Sequence, residues 1–585
     1  MPHARSENYR LREAAIVATF LCVTVQSRAA ESAVTSDGGT RCSTLTEQMA
    51  GKFPNASTRI VSAVFVPKGP IPTGGPPSAM PLTAPEHCEV IGIAQPRTGT
   101  YQQQYAIRFH LRLPTQWNGR FFFQGGGGSN GVIGDALGSY SPAAAPALMQ
   151  GFAVVSQDSG HDNHLNDDPS KGGALVFGFD PQARANYGHA SLPLVAHAAK
   201  ALVKQFYGAP ARYSYFVGCS KGGEEGLAFA ERYPDEFDGI AASAPGMSLP
   251  RAAVEAAWDT QSLAMAAGKP VDRTTFSAAQ LAGTFTPADL GLVRDAVLTA
   301  CDADDGLQDG IVGAFEQCTA SRVRPQLLAR QCPADQTEGC LSVAQIAAIT
   351  RLLGGAHDSH DRSLYSIWPW DAGIAGMGWR AWKLGTVDGR PPSLNVTLGG
   401  ASLASVFTTP PTPLSADPAQ RLNFLLGFDF DRDAPRIYAT NAQFPRSAWD
   451  DNSARSSDLR AFRARHGKLI MSHGVSDPVF SINDTLAWWH EVDQRSGGQA
   501  AGFVRVFPVP GMNHCGGGPA TDQFDLLAPL MQWVEKSHAP TAILASANRE
   551  SPWPKRTRPL CVYPAIAHYK GTGDIDSASS FECRS

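Results

Sequence analysis

The five residues Gly218-Cys219-Ser220-Lys221-Gly222 lie between an extended apolar run, residues 213–217, and a helix-like segment, residues 224–232. A serine flanked by glycines at a strand-to-helix junction predicts a nucleophile elbow, a sharp turn that exposes the hydroxyl. In a chain with 57 glycines the Gly-x-Ser-x-Gly pattern alone carries little weight. The cysteines add more. Cys219 precedes Ser220 and Cys515 follows His514. A disulfide brings two Cα atoms to roughly 5.5 Å. A Cys219–Cys515 bond would therefore hold Ser220 beside His514, although 515 − 219 = 296 positions separate the cysteines. The bland alternative is a small buried cysteine and a surface histidine.

A serine and a histidine so placed call for an acid between them in the chain, in the order Ser, acid, His of an α/β-hydrolase. Residues 468–472 read as a buried strand, followed by the loop His473-Gly-Val-Ser-Asp477-Pro478. Asp477 is the candidate acid, to accept the His514 Nδ1–H and fix its tautomer. Its competing role is an ordinary turn cap before Pro478. A second strand, residues 503–509, delivers Pro510-Gly-Met-Asn-His514. An oxyanion hole needs two backbone donors. One is the N–H of Lys221, directly after the serine. The other is expected in the Gly-rich loop after residues 121–124, with Gly128 favoured.

That loop also spells Gly126-x-Gly128-x-x-Gly131, a dinucleotide fingerprint after a strand. The residues that follow make a poor helix start, and Asp158 lies farther downstream than the usual ~20 residues. His161-x-x-His164 hints weakly at zinc, although two lone imidazoles more often bond loops.

The length of 585 residues allows more than one domain, and the net charge of −4 predicts neither nucleic-acid nor membrane-surface binding. Arg5, Arg10 and Arg12 precede a short apolar run, residues 14–25. That reads as a cleaved export signal over 1–30, so a periplasmic or secreted location is expected. Residues 31–246, with apolar runs at 106–113, 120–123, 152–156 and 213–217, and residues 455–585 carry the strand-like runs of an α/β core with a mainly parallel sheet. Residues 247–454 switch to helical pieces and long Gly-, Pro- and Trp-rich loops. This block separates Ser220 from Asp477 and His514, so it is an insertion, expected over the site as a lid. Ten cysteines remain after the signal, and an even count in an exported chain suggests disulfides. Neighbours in sequence offer Cys42 with Cys88, Cys301 with Cys318, Cys332 with Cys340, and Cys561 with Cys583, but sequence alone leaves the connectivity open.

Inside the insertion, Asp302, Asp304, Asp305 and Asp309 fall within eight residues, with Gly306 among them and Gly310 directly after. Crowded carboxylates and tight turns suit either a solvated acidic loop or a calcium site built from hard oxygens.

Together these residues resemble the tannase/feruloyl esterase family of α/β-hydrolases, over essentially the whole mature chain. The paired Cys219-Ser220 and His514-Cys515, with Asp477 between, carry the resemblance, as does the acidic loop. The family pattern implies the five disulfides named above. It also implies a structural calcium ion held by the carboxylates of Asp302, Asp305 and Asp309 and the carbonyls of Leu307 and Ile311. Within the family, the branch acting on terephthalate half-esters reads most alike. It implies that Trp382, Phe407 and Phe480 contact the substrate ring and that His473 lies near the same pocket. Two departures stand out. Lys221 replaces a glutamate, so its side chain becomes a candidate partner for a substrate carboxylate. No arginine occurs in 394–399, where that branch binds the carboxylate. The resemblance thus implies a serine esterase acting on small aromatic esters: half-esters of the terephthalate kind, or neutral feruloyl or galloyl esters. A catalytically silent ligand-binding relative is the remote alternative. The oligomeric state stays open.

Overall fold

Three consecutive phenylalanines, Phe121, Phe122 and Phe123, are all fully buried. Adjacent side chains on a strand point to opposite faces, so burying all three requires cover on both sides. Phe121 and Phe123 join one hydrophobic core, and Phe122 joins the other. The computed structural model describes residues 38–71, 82–268, 270–334, 336 and 338–585. The predicted export signal lies outside these residues.

The central sheet has nine strands: β1 (Arg59–Val66), β2 (His87–Thr98), β3 (Gln104–Pro114), β4 (Arg120–Gln124), β5 (Ala153–Gln157), β6 (Tyr213–Cys219), β7 (Gly239–Ser243), β8 (Lys468–Gly474) and β9 (Val504–Val509). Their spatial order is β1-β2-β3-β5-β4-β6-β7-β8-β9. The pairs β1–β2, β2–β3 and β3–β5 are antiparallel. Every pair from β5 to β9 is parallel. Parallel strands need crossovers, and these place helices on both faces. Helices α1 (Ser191–Tyr207) and α2 (Lys221–Arg232) share the core of Phe121, Phe123 and Phe216. Helix α5 (Leu527–Lys536) seats Leu527, Leu530 and Trp533 against Phe122 and Tyr215.

The run predicted at 106–113 is β3, and those at 120–123, 152–156, 213–217, 468–472 and 503–509 are β4, β5, β6, β8 and β9 within two residues at each end. Strands β1, β2 and β7 escaped sequence reading. No helix follows Gly131: the chain runs as turns and bends to residue 146. The dinucleotide reading therefore has no helix N-terminus to hold a pyrophosphate.

The chain leaves the sheet after β7 and returns at β8. The intervening segment begins with helix α3 (Leu249–Met265) and contributes no strand to the sheet. Its two ends meet. Ser248 and Ser453 form an antiparallel bridge, and the Ala454 N–H donates to the Met247 carbonyl at 2.9 Å. After β8 come helix α4 (Ile482–Arg495), β9, α5 and two short hairpins. All five proposed cysteine pairs are bonded. Among the described residues no helix is long and apolar enough to cross a membrane.

Candidate active site

Strand β6 ends at Cys219 and helix α2 begins at Lys221, leaving Ser220 alone to turn the chain. Its backbone has φ 65° and ψ −122°, a conformation that side chains rarely adopt. The strain is held by close packing. A Cβ on Gly222 would come within 2.7 Å of the Gly126 carbonyl oxygen, so no other residue allows the elbow and the Gly-rich loop to touch there. The Ser220 carbonyl also accepts from the Gly246 N–H at 3.1 Å.

His514 Nε2 lies 2.8 Å from Ser220 Oγ, and its Nδ1 lies 2.8 Å from Asp477 Oδ2. Asp477 Oδ1 accepts the N–H groups of Val479 and Phe480 at 2.7 and 3.1 Å. Burial alone would raise the Asp477 carboxyl. The imidazoles of His514 and His473 outweigh it and hold the group well below the usual carboxylate range. Asp477 is therefore an ionised, acceptor-only partner, and Nδ1 of His514 must carry a proton. That leaves Nε2 free to accept one from Ser220. The Cys219–Cys515 bond, with Cα atoms 6.1 Å apart, clamps the serine turn to the histidine loop. Asp371, from the insertion, accepts from Ser476 Oγ and from the Gly511 N–H, which ties the acid loop to the base loop. Sequence reading missed Asp371.

Gly128 and Lys221 both line the cavity at Ser220. Neither N–H has an acceptor among the described residues, which suits a hole for a developing oxyanion. Two partners, both missed in the sequence, fix the Gly-rich loop. Tyr187 Oη donates to the Gly128 carbonyl at 3.0 Å. Glu225 accepts the Gly126 N–H at 2.8 Å and Asn130 Nδ2 at 3.0 Å. Tyr187 falls in a π-helical turn, Asn186–Ala190, a bulge often found at functional sites.

The empty space of the cleft, counting the open solvent at its mouth, is about 610 Å³. Trp382, Phe407 and Phe480 line it as expected. The Trp382 and Phe480 rings meet the His514 ring edge-on at 5.6 and 5.4 Å. His473 does not line it. It is fully buried behind Asp477, where Nε2 donates to the Phe480 carbonyl at 2.9 Å and Nδ1 accepts from Thr485 Oγ1 at 2.9 Å. It supports the acid loop instead of meeting a substrate.

The Lys221 side chain also departs from expectation. It is 1% exposed, with Nζ 2.6 Å from Glu224 Oε2 and 3.3 Å from Glu225 Oε1, over the Tyr187 ring at 4.8 Å. Its ammonium is already committed to these two acidic side chains, so it offers no free charge to a substrate. Burial, partly offset by Lys221, raises Glu224 to about 8.

The acidic loop is partly buried. Asp302 and Asp305 are 8% and 5% exposed, and neither has a cationic side chain among the ion pairs of the described residues. Burial, then the charge of Asp309, raises Asp305 to about 7, which marks a site short of positive charge. Asp309 instead pairs with Arg558 and, at 3.6 Å, Arg556. Among the described residues no three ligating side chains converge closely enough to hold a metal, at His161 and His164 or here. His161 is buried and stacked on Phe177 at 4.0 Å.

Residues 88–584 match the profile of the family described as tannase and feruloyl esterase. The chain is 43% identical over 550 residues to the mono(2-hydroxyethyl) terephthalate hydrolase of Piscinibacter sakaiensis, covering 91% of this chain and 89% of that one. It is 28% identical over 519 residues to a probable feruloyl esterase of Arthroderma benhamiae, covering 87% and 88%. The solved structure of feruloyl esterase B from Aspergillus oryzae superposes with a TM-score of 0.71 at 23% identity, covering 93% of this chain and all of that one. Tannin acyl hydrolase from Aspergillus niger gives 0.65 at 19% identity, covering 93% and 96%, a likeness of fold.

Proposed function

Since this chain belongs to the tannase and feruloyl esterase family and is a carboxylic-ester hydrolase, we propose that it cleaves esters of aromatic acids by a Ser220-His514-Asp477 acyl-enzyme mechanism. The observation that carries this reading is the hydrogen-bonded line from Asp477 through His514 to Ser220, opening on an aromatic cavity. Ser220 Oγ attacks the ester carbonyl while His514 Nε2 takes its proton. The N–H groups of Gly128 and Lys221 hold the oxyanion. His514 then protonates the leaving alcohol, and water, deprotonated by the same nitrogen, releases the acid. The insertion serves as the lid, and Trp382, Phe407 and Phe480 pack on the ring of the acid.

Candidate substrates are terephthalate half-esters, as named for the Piscinibacter relative, and feruloyl or galloyl esters. Ser220→Ala tests the mechanism. Turnover of 4-nitrophenyl acetate and of aromatic methyl esters should fall by several orders of magnitude with the melting temperature kept. Near-parental rates would refute it.

A calcium ion is proposed at the acidic loop: the carboxylates of Asp302, Asp305 and Asp309, which do not converge on one point here, would close on it together with the carbonyls of Leu307 and Ile311. The buried, uncompensated charge of Asp302 and Asp305 supports it, and the pairing of Asp309 with Arg558 means that Asp309 must share or exchange its partner. The ion would stabilise the insertion. Export through a cleaved N-terminal signal completes the reading.

A further inference from the structure

The far end of the cavity holds polar groups that the proposed mechanism does not use. Helix α3 starts beside the nucleophile, where the Gly246 N–H bonds the Ser220 carbonyl, and Leu249 lines the cavity. Ala252, Ala253, Ala256 and Asp259 continue the same lining face. From Leu249 to Asp259 is 259 − 249 = 10 residues, or about 15 Å of helix. That length accommodates an acyl group with its ring, and the three alanines leave room for it.

At the end of this face Asp259 is 1% exposed and Asn395, from the insertion, is 4% exposed. Asp259 Oδ2 takes Lys383 Nζ and, at 3.1 Å, Asn395 Nδ2. Lys383 is itself buried over the Trp368 ring, with Nζ 4.2 Å from its centroid, and is committed to Asp259. The amide orientation of Asn395 follows from chemistry. A carboxylate only accepts, so Nδ2 must face Asp259 and Oδ1 must face the other way. No protein donor reaches Asn395 Oδ1 among the described residues, and Asn395 lines the cavity. Oδ1 is therefore an acceptor left open on the cavity, available to a donor carried by a ligand. Glu255 stands behind Asp259. Burial, then the Asp259 charge, raises it well above the usual range, so it is a neutral acid that adds no cation.

We infer that Asn395, oriented by Asp259, is a specificity-determining residue that accepts a hydrogen bond from a hydroxyl at the far end of the substrate ring and disfavours a carboxylate there. A substrate carboxylate would meet an amide oxygen and a carboxylate whose single cation is already used. A phenolic hydroxyl would meet the acceptor it needs. The inference rests on the cavity being the acyl site of the Ser220 esterase.

The test compares kcat/KM for four methyl esters on the parent protein: 4-hydroxycinnamate, cinnamate, 4-methoxycinnamate and 4-carboxycinnamate. The 4-hydroxy ester should exceed the other three by about tenfold or more, with the 4-carboxy ester lowest. Asn395→Leu should bring the 4-hydroxy to unsubstituted ratio close to one, with folding checked by thermal melting. Equal rates for 4-hydroxy and 4-methoxy esters, a preference for the 4-carboxy ester, or a ratio kept in Asn395→Leu would overturn the inference. The parent ratios decide even if the variant does not fold. If the parent cleaves 4-nitrophenyl acetate but none of the four, the far-end assignment fails while the esterase stands. If Ser220→Ala keeps activity, the esterase mechanism itself fails.

Discussion

Removing the Cys219–Cys515 bond should cost both stability and rate, whereas removing Cys561–Cys583 should cost stability alone. The loop-entropy relation makes the difference calculable. For a separation of 296 residues it gives about 5.7 kcal/mol at 25 °C, and for 22 residues about 3.4 kcal/mol. The kinetic contrast is larger. Cys219 and Cys515 flank the two atoms that exchange the proton, Ser220 Oγ and His514 Nε2, 2.8 Å apart. Loosening that geometry by 1 Å costs about 10²-fold in rate. The hairpin clip at Cys561 touches neither atom. The assay pairs Cys219→Ser/Cys515→Ser with Cys561→Ser/Cys583→Ser, reading the urea midpoint and kcat on 4-nitrophenyl acetate. The first pair should lose about two orders of magnitude in kcat and the second less than about threefold. Equal kinetic losses, or a first pair that is unstable but fully active, would refute the view that the bond positions the proton transfer.

Three further outcomes follow from buried charge. Lys221→Met leaves the Glu225 carboxylate buried without its cation and Glu224 without its hydrogen-bond donor, so it should destabilise by about 3–5 kcal/mol in a urea melt, while the preference between half-esters and neutral diesters stays as in the parent. Glu224, raised to about 8 in the fold, keeps its proton there after the unfolded chain has lost it. Stability from this group therefore falls as pH rises from about 4.5 to 8 and levels off beyond. Melting of Glu224→Gln against the parent should shift in favour of the variant over that interval. EGTA should lower the melting temperature of the parent, and added calcium should restore it. Asp305→Asn should blunt both responses, and a melt indifferent to EGTA would remove the ion.

The elbow, the base and the acid were legible because each is local: two glycines around Ser220, a cysteine beside His514, and a polar loop after each C-terminal strand. The neutralised Lys221 was legible too, through Glu224 and Glu225 at i+3 and i+4 on one helix face, a spacing that brings side chains together. Read only as a neighbour of Ser220, it looked like a free charge. Tyr187, Asp371 and Asn395 were not legible. Each meets the site through tertiary packing across 59, 140 or 136 positions, measured to Gly128, Gly511 and Asp259, and no local pattern reports such contacts. His473 sits beside the acid in sequence, but β8 turns it into the interior, where Thr485 and the Phe480 carbonyl occupy both nitrogens. Strands β1 and β2 lie at an antiparallel edge with mixed exposure, which weakens the apolar signal.

The bridge between Ser248 and Ser453 makes the insertion an exchangeable cassette. Its two ends lie one hydrogen-bonded step apart, so a foreign segment can join at two neighbouring points without moving a strand, provided that it replaces the contacts made by residues such as Asp309 to Arg558 and Asp451 to Arg184. Ser220, Asp477 and His514 all stay behind in such an exchange, and the acyl transfer proposed for them stays too. Trp382, Asn395 and Phe407 travel with the cassette, and so do the substrate contacts proposed for them. Asp371 travels too. A graft that brings no equivalent carboxylate to Ser476 and Gly511 would change the substrate and slacken the catalytic loops at once.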